Sequence, residues 1–269
     1  MIRDGIFVPL YKYFMFDIIF QLSEFQSNNI PFVLCTIIES VGSTPRKAGA
    51  KMLVFADGSS KGTIGGGAIE QKAIEDGVQC LKTGKPVKIR YQLEKDLSMQ
   101  CGGSVEIFFE PFLCKPDLYI FGAGHVGREV GFYAETVGFN IHFVDFRANL
   151  KDNLNIPNAV FHEGNFIEII DNLKLNSDSY IVIATPSHES DRDLVLKLAQ
   201  YNLAYIGLIA SNRKVAVIQK YAIDNQILTE DQLAKINMPI GIPFRAETPR
   251  EIAISIVAKL IDVRNSKLV

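Results

Sequence analysis

Apolar residues in this chain repeat first at one period and then at another, and the changes of period outline its elements. Phe14, Ile18, Leu22 and Phe25 recur at helical spacing before the polar run Gln26-Ser27-Asn28-Asn29, which predicts an amphipathic helix covering an N-terminal sheet. The β-branched run Phe32 to Glu39 and the segment Lys51 to Ala56 predict two strands, joined by the loop Gly42-Ser43-Thr44-Pro45-Arg46-Lys47-Ala48-Gly49. A helix opens at Gly65-Gly66-Gly67 and runs to about Lys82, and Val87 to Leu93 and Val105 to Phe109 read as further strands. These elements make a mixed α+β domain. From Pro111 to Pro116-Asp117 regular structure should break, which sets domains at 1–113 and 117–269.

The second half keeps a stricter rhythm. Leu118 to Phe121 is a strand, Gly122-Ala123-Gly124-His125-Val126-Gly127 a glycine turn opening a helix, and Ile141 to Asp145 a strand ending in a carboxylate. Strand-like segments Ala159 to His162, Ser179 to Ala184 and Ala204 to Ile209 then alternate with helical segments near 166–173, 188–201 and 211–225. The expected fold is α/β, with a Rossmann-like doubly wound parallel sheet following the first domain and helices on both its faces. Thr248-Pro249-Arg250-Glu251 combines a capping Thr, a proline at the first helical position and a Glu three after the cap, so a final helix begins there.

Composition narrows the partners. With 28 basic and 30 acidic residues in 269, a net charge of −2 and no long basic run, neither nucleic acid nor an anionic membrane is an expected partner. Cys35, Cys80, Cys101 and Cys114 are widely spaced, which argues against a zinc site or a disulfide scaffold and suits a reducing, cytoplasmic setting. The aromatic stretch Ile6 to Phe20 is interrupted by Lys12 and Asp17 with no small-residue cleavage site after it, so it is not expected to act as a signal peptide.

The glycine turn points to a dinucleotide. Gly122 permits the turn, Gly124 lets main chain approach a pyrophosphate, Gly127 lets helix and strand pack, and His125 adjoins any bound phosphate. Asp145 follows at the offset of about 20 residues that suits a ribose hydroxyl, and Arg147 beside it leaves open a 2′-hydroxyl or a 2′-phosphate. His188 and Asp191, in Thr185-Pro186-Ser187-His188-Glu189-Ser190-Asp191, fall at the carboxyl edge of the sheet; His188 is a candidate proton donor or metal ligand, and Asp191 reads as a helix cap. In the first domain, Gly65, Gly66 and Gly67 at a helix start would leave N–H groups open to an oxyanion, with Thr63 adding a hydroxyl and Arg46 and Lys47 adding charge. Tight turns with a solvated Arg46 explain the same residues equally well. Cys101, before Gly102-Gly103, is a thiol on a turn, able to ligate a soft metal or to stand as a bystander.

The chain resembles the xanthine dehydrogenase accessory protein family, XdhC/CoxI, over nearly its whole length. The resemblance lies in GSTPRKAGAKMLV (42–54), DGSSKGTIGGGAIE (57–70), CGGSVEIFFEP (101–111), FGAGHVG (121–127), VDFR (144–147), YIGLIASNRK (205–214) and ETPREIAISIVAKL (247–260). It implies an N-terminal XdhC domain and a C-terminal Rossmann domain that bind molybdenum cofactor, assist its sulfuration by a cysteine desulfurase and deliver it to a molybdenum hydroxylase apo-enzyme. A homodimer is expected by analogy. Arg46, Thr63, Gly65 to Gly67 and Cys101 would then face the cofactor's phosphate and metal, and the second domain would take NAD(P) or another nucleotide. Two rival readings are a nicotinamide-dependent oxidoreductase using His188 and Asp145, and a non-catalytic nucleotide-sensing regulator; no catalytic residue is assigned. The chain departs from the family's pattern at Ala68, where many relatives have cysteine, at Pro186 and Ser187 within the usual THDHxxD, at Ala210, and across Pro239 to Ala246. Residues 1–14 precede the family's usual start, which points to Met15 as initiator.

Overall fold

The computed structural model describes residues 10–97 and 102–266. Two compact units meet in sequence between Cys114 and Lys115. In the first unit, helix α1 (Leu10–Ser27) precedes strands β1 (Phe32–Val41), β2 (Lys51–Phe55) and β3 (Ser60–Gly62), helix α2 (Gly67–Thr83), strand β4 (Val87–Gln92), helix α3 (Leu93–Leu97) and strand β5 (Ser104–Phe112). The strands form one antiparallel sheet in the order β3-β2-β1-β5-β4.

Alternation along β1 explains both faces of this sheet. Val33, Cys35 and Ile37 turn inward with Met52, Val54, Ile107 and Phe109 against Ile69, Ala73 and Cys80 of α2. The alternate residues Phe32, Leu53 and Phe112 face Ile18, Leu22 and Phe25 of α1, with Phe32 and Phe112 stacked at 4.8 Å between ring centroids. Each fully buried side chain of this size contributes about 1.5–3 kcal/mol. Past Ile37 the pairing slips by one, from Ile37↔Ile107 to Glu39↔Glu106, so Ile38 forms a bulge just before the loop to β2. Strand β5 runs through Pro111, beyond the expected Phe109, because past Phe109 it has β1 as its only sheet neighbour and one side of the strand needs no N–H.

The second unit comprises β6 (Asp117–Phe121), α4 (His125–Thr136), β7 (Asn140–Asp145), β8 (Val160–Glu163), β9 (Tyr180–Ile183), α5 (His188–Leu198), β10 (Tyr205–Leu208), α6 (Asn212–Asp224), α7 (Glu230–Ala234), β11 (Ile236–Asn237) and α8 (Pro249–Ser266). Its six strands are parallel in the order β8-β7-β6-β9-β10-β11, so the strand order reverses between β6 and β9. Leu118 and Ile120 pack on one side with Val130 and Ala134 of α4 and Ile256 and Leu260 of α8. Tyr119 and Phe121 pack on the other with Leu194 and Leu198 of α5 and Ile218 of α6. Helix α8 starts through the expected reciprocal cap: the Glu251 N–H donates to Thr248 Oγ1 (3.3 Å), and the Thr248 N–H donates to Glu251 Oε2 (2.9 Å). The segment near 166–173 forms only a 3₁₀ turn, Glu168–Asn172, set by Asn165 Oδ1 accepting the N–H of Ile167 (2.9 Å).

The glycine turn is shaped by main-chain crowding. Gly122 has φ 108°, and a Cβ there would stand 2.3 Å from the carbonyl oxygen of Ala184; one on Gly127 would stand 1.9 Å from that of Gly122. Both glycines are therefore required by the fold itself. Gly127→Ala should cost about 3 kcal/mol, read as a lowered urea midpoint, since the carbonyl it strikes cannot rotate aside.

Candidate functional site

In the first unit, the segment Thr44–Lys51 together with Ile18, Gly62 and Thr63 lines a cavity of about 640 Å³. Three cations, Arg46, Lys47 and Lys51, stand on its wall, and among the described residues none that lines it is acidic. The loop is anchored at its far end, where the Gly49 N–H donates to the Ile37 carbonyl (2.8 Å) and the Ile37 N–H to the Ala50 carbonyl (2.9 Å). Lys51 Nζ donates to Thr36 Oγ1 (3.2 Å) and Lys47 Nζ to the Gly42 carbonyl (3.4 Å). Arg46 is exposed and has no ion-pair partner among the described residues. Lys51 was not singled out from sequence, because a lysine opening a strand reads as a solvated face.

Two glycine-rich segments, 65–67 and 102–103, converge on this loop. A Cβ on Gly65 would stand 2.8 Å from Pro45 Cβ, and one on Gly103 would stand 2.4 Å from the Ser43 carbonyl oxygen. Cys101 itself lies outside the described residues.

The turn at Gly65-Gly66-Gly67 differs from expectation. Its amides were expected to be open, yet Glu70 Oε1 accepts the N–H of Ile64 (3.0 Å), Gly65 (3.1 Å) and Gly66 (2.8 Å), and the Thr63 hydroxyl as well. The physical reason is the helix start: α2 has no side-chain cap at Gly66, and a carboxylate in its first turn meets the unpaired amides and the positive end of the dipole. Burial by itself pushes the Glu70 carboxyl up; these hydrogen bonds outweigh it and hold it below the usual range. A Glu in the first turn behind uncapped glycines was the signal that could have found this.

In the second unit the turn reaches the carboxyl edge of the sheet at the reversal of strand order. Gly124 caps α4 with φ −71° and no side-chain hydrogen bond, whereas α5 and α6 are capped by Ser187 and Ser211. A Cβ on Gly124 would touch nothing within 4 Å. Unlike Gly122 and Gly127, this glycine is not demanded by packing. His125 and His188 are each the first residue of a helix and both are exposed.

Asp145 was expected to serve a ribose, but it is already engaged. It is buried, its Oδ2 accepts the Ala123 N–H (2.9 Å) and Arg147 Nη2 (2.8 Å), and its Oδ1 accepts the main-chain N–H (3.0 Å) and Nε (2.9 Å) of Arg147. Burial pushes this carboxyl up, and the Arg147 guanidinium with the two main-chain donors outweighs it and holds it low. Asp191 is not the cap of α5, since Ser187 fills that place; its Oδ1 accepts the Thr185 hydroxyl (2.6 Å), and its Oδ2 pairs with Lys214 of α6. Thr185 adjoins the glycine turn, its Cα 3.1 Å from where a Gly122 Cβ would lie. His142 pairs with His162 (3.1 Å) toward the amino end of the sheet and stacks on Tyr119, as a structural residue would.

Among the described residues, no group of three or more His, Cys, Asp or Glu is arranged to hold a metal ion, and no helix is long and apolar enough to cross a membrane.

Comparison with known proteins bears on both units. A family model described as the XdhC Rossmann domain matches residues 118–260, and one described as the XdhC and CoxI family matches residues 25–92. The chain is 35% identical over 256 residues to the uncharacterized protein YqeB of Escherichia coli K12, covering 93% of this chain and 47% of that one. It is 23% identical over 270 residues to the molybdenum cofactor insertion chaperone PaoD of the same organism, covering 86% of this chain and 83% of that one. The chain thus spans about half the length of the first relative. A solved structure of a xanthine dehydrogenase from Bacillus halodurans shares the fold, with a TM-score of 0.53 at 22% identity over 92% of this chain and 96% of that one.

Glu70→Gln should lower stability at neutral pH by about 1 kcal/mol, a charged hydrogen-bond contribution reduced by partial exposure. Because the folded pKa is depressed, the wild type's advantage is full above the ordinary carboxyl pKa and disappears as pH falls through the folded value. Urea titrations at pH 7 and at about pH 3 should therefore differ in the gap between the two proteins.

Proposed function

This chain belongs to the XdhC/CoxI family, and from that premise we propose that it is a maturation factor for a molybdenum hydroxylase. It holds molybdenum cofactor in the basic cavity of the first unit and yields it to the apo-enzyme. The observation that carries this reading is the cavity itself. Its volume lies within the range of small-ligand pockets, and its three cations suit the phosphate of a molybdopterin. The name of PaoD, a molybdenum cofactor insertion chaperone, supports the same reading. Bound there, the cofactor would bring a dithiolene-held metal, while the chain's own part is to neutralise the phosphate through Arg46, Lys47 and Lys51 and to limit its exposure.

The finer parts of the proposal are sulfuration by a cysteine desulfurase, with Cys101 as the thiol, a homodimer, and work in the cytoplasm. The two family matches and the division of the chain at Cys114/Lys115 support domains of 1–113 and 117–269. With the Gly65 and Gly66 amides held by Glu70, the anchoring role falls to the cations of the neighbouring loop. Protein coexpressed with the cofactor pathway should carry molybdenum and, after oxidation, a fluorescent pterin. The double variant R46A/K51A should lose about tenfold of both. A folded wild type carrying neither would end the reading.

We assign the second unit a nucleotide. Gly124 supports this, because it keeps the approach to an uncapped helix start open with no packing reason to be glycine. Gly124→Asp tests it directly. At this φ an aspartate makes a good helix cap, so the melting temperature should hold or rise while binding of an adenine dinucleotide is lost.

A further inference from the structure

We propose that the second unit selects a nucleotide bearing a 2′-phosphate over one with a 2′-hydroxyl, and that Arg147 is the residue that selects it; this rests on the nucleotide reading of the Gly124 turn. A carboxylate at the end of the second strand serves a ribose diol by accepting its hydroxyl protons. Asp145 stands at that position with its acceptor capacity used. Each oxygen already takes two N–H donors, and a carboxylate offers about four lone-pair sites in all. A ribose hydroxyl arriving there finds no free acceptor site on this carboxylate.

Arg147 presents the opposite chemistry. Its guanidinium spends Nε and Nη2 on Asp145, which leaves Nη1 with both hydrogens, and about a third of the side chain (34%) is exposed. The guanidinium carbon lies 5.5 Å from the ring centroid of Phe146, itself exposed, so the group is held between a carboxylate and an aromatic face. Held this way it can accept an anion at little further cost in side-chain entropy. The fork pairing also neutralises Asp145, which removes the repulsion that a bare carboxylate there would exert on a phosphate. A donor is therefore on offer where the diol would need an acceptor, and the ligand chemistry that fits is a phosphate monoester on the adenosine ribose.

Calorimetric titration of the whole chain with NADPH, NADH, adenosine 2′,5′-bisphosphate and 5′-AMP tests this. NADPH should bind about tenfold or more tightly than NADH, and the bisphosphate more tightly than 5′-AMP. Arg147→Ala alone would strand a buried carboxylate, so the informative variant is D145N/R147A, which removes both charges and leaves an amide oxygen for the Ala123 N–H. Checked as folded by its melting curve, it should bind NADPH and NADH equally, and Arg147→Lys should keep part of the preference. Equal binding of the two by the wild type, or tighter NADH, overturns this inference and leaves the nucleotide reading standing. Binding of neither by folded protein overturns both.

Discussion

The second unit depends on main chain meeting main chain around Gly122. The carbonyl of Ala184, at the end of β9, and the helix residue Gly127 both come so close to this turn that a single methyl group at either glycine would strike an oxygen atom. That closeness brings the start of α4 to the point where the strand order reverses, and nothing but absent side chains makes it possible. Gly131 extends the same contact, since a Cβ there would meet the Phe143 ring at 2.4 Å, so helix and sheet touch along more than one turn. Everything ascribed to the edge of this sheet, from the uncapped Gly124 to the Arg147 fork, is positioned by that contact.

A second theme is that carboxylates are answered within the chain. Glu70 collects the amides at the start of α2, Asp145 collects Ala123 and Arg147, and Asp191 collects Thr185 and Lys214. Glu70 and Asp145 supply charge where a helix start or a turn leaves main-chain N–H groups unpaired, whereas Asp191 answers side chains only. Near these carboxylates the groups left toward solvent include Arg46 and Lys47 in the first unit and part of Arg147 in the second. Each unit thus has an exposed basic group at the position where an anionic ligand is proposed.

Much of the fold could be read from the chain because its signals are local. The 3.6-residue period of α2, the reciprocal cap at Thr248 and Glu251, and the strand, turn and helix around Gly122 each involve residues a few positions apart. Short elements escaped: β3, α7 and β11 are two to five residues long, too brief to carry a period. The site was less legible than the fold. Arg147 was noted beside Asp145, but its rotamer, and hence the loss of the ribose acceptor, depends on where the turn at Ala123 comes to rest. Glu70 shows the same gap, since open amides are a property of the turn and their occupation is a property of a side chain four or more residues away. Asp191 was read as a cap because its spacing allows it; Ser187 won that place, and burial left Asp191 to Lys214.

The bulge at Ile38 has a consequence for how β1 can vary. Residues 33, 35 and 37 face α2, but after the extra residue it is Ser40, paired with Val105, that shares their side, while Glu39 turns away to meet Arg90. The strand carries a phase shift between its two halves. Removing Ile38 alone would restore simple alternation and leave Val33, Cys35, Ile37 and Ser40 on one side of the sheet and Glu39 on the other, with every other pairing unchanged. A one-residue insertion elsewhere in β1, by contrast, would turn one half of the strand over against the other.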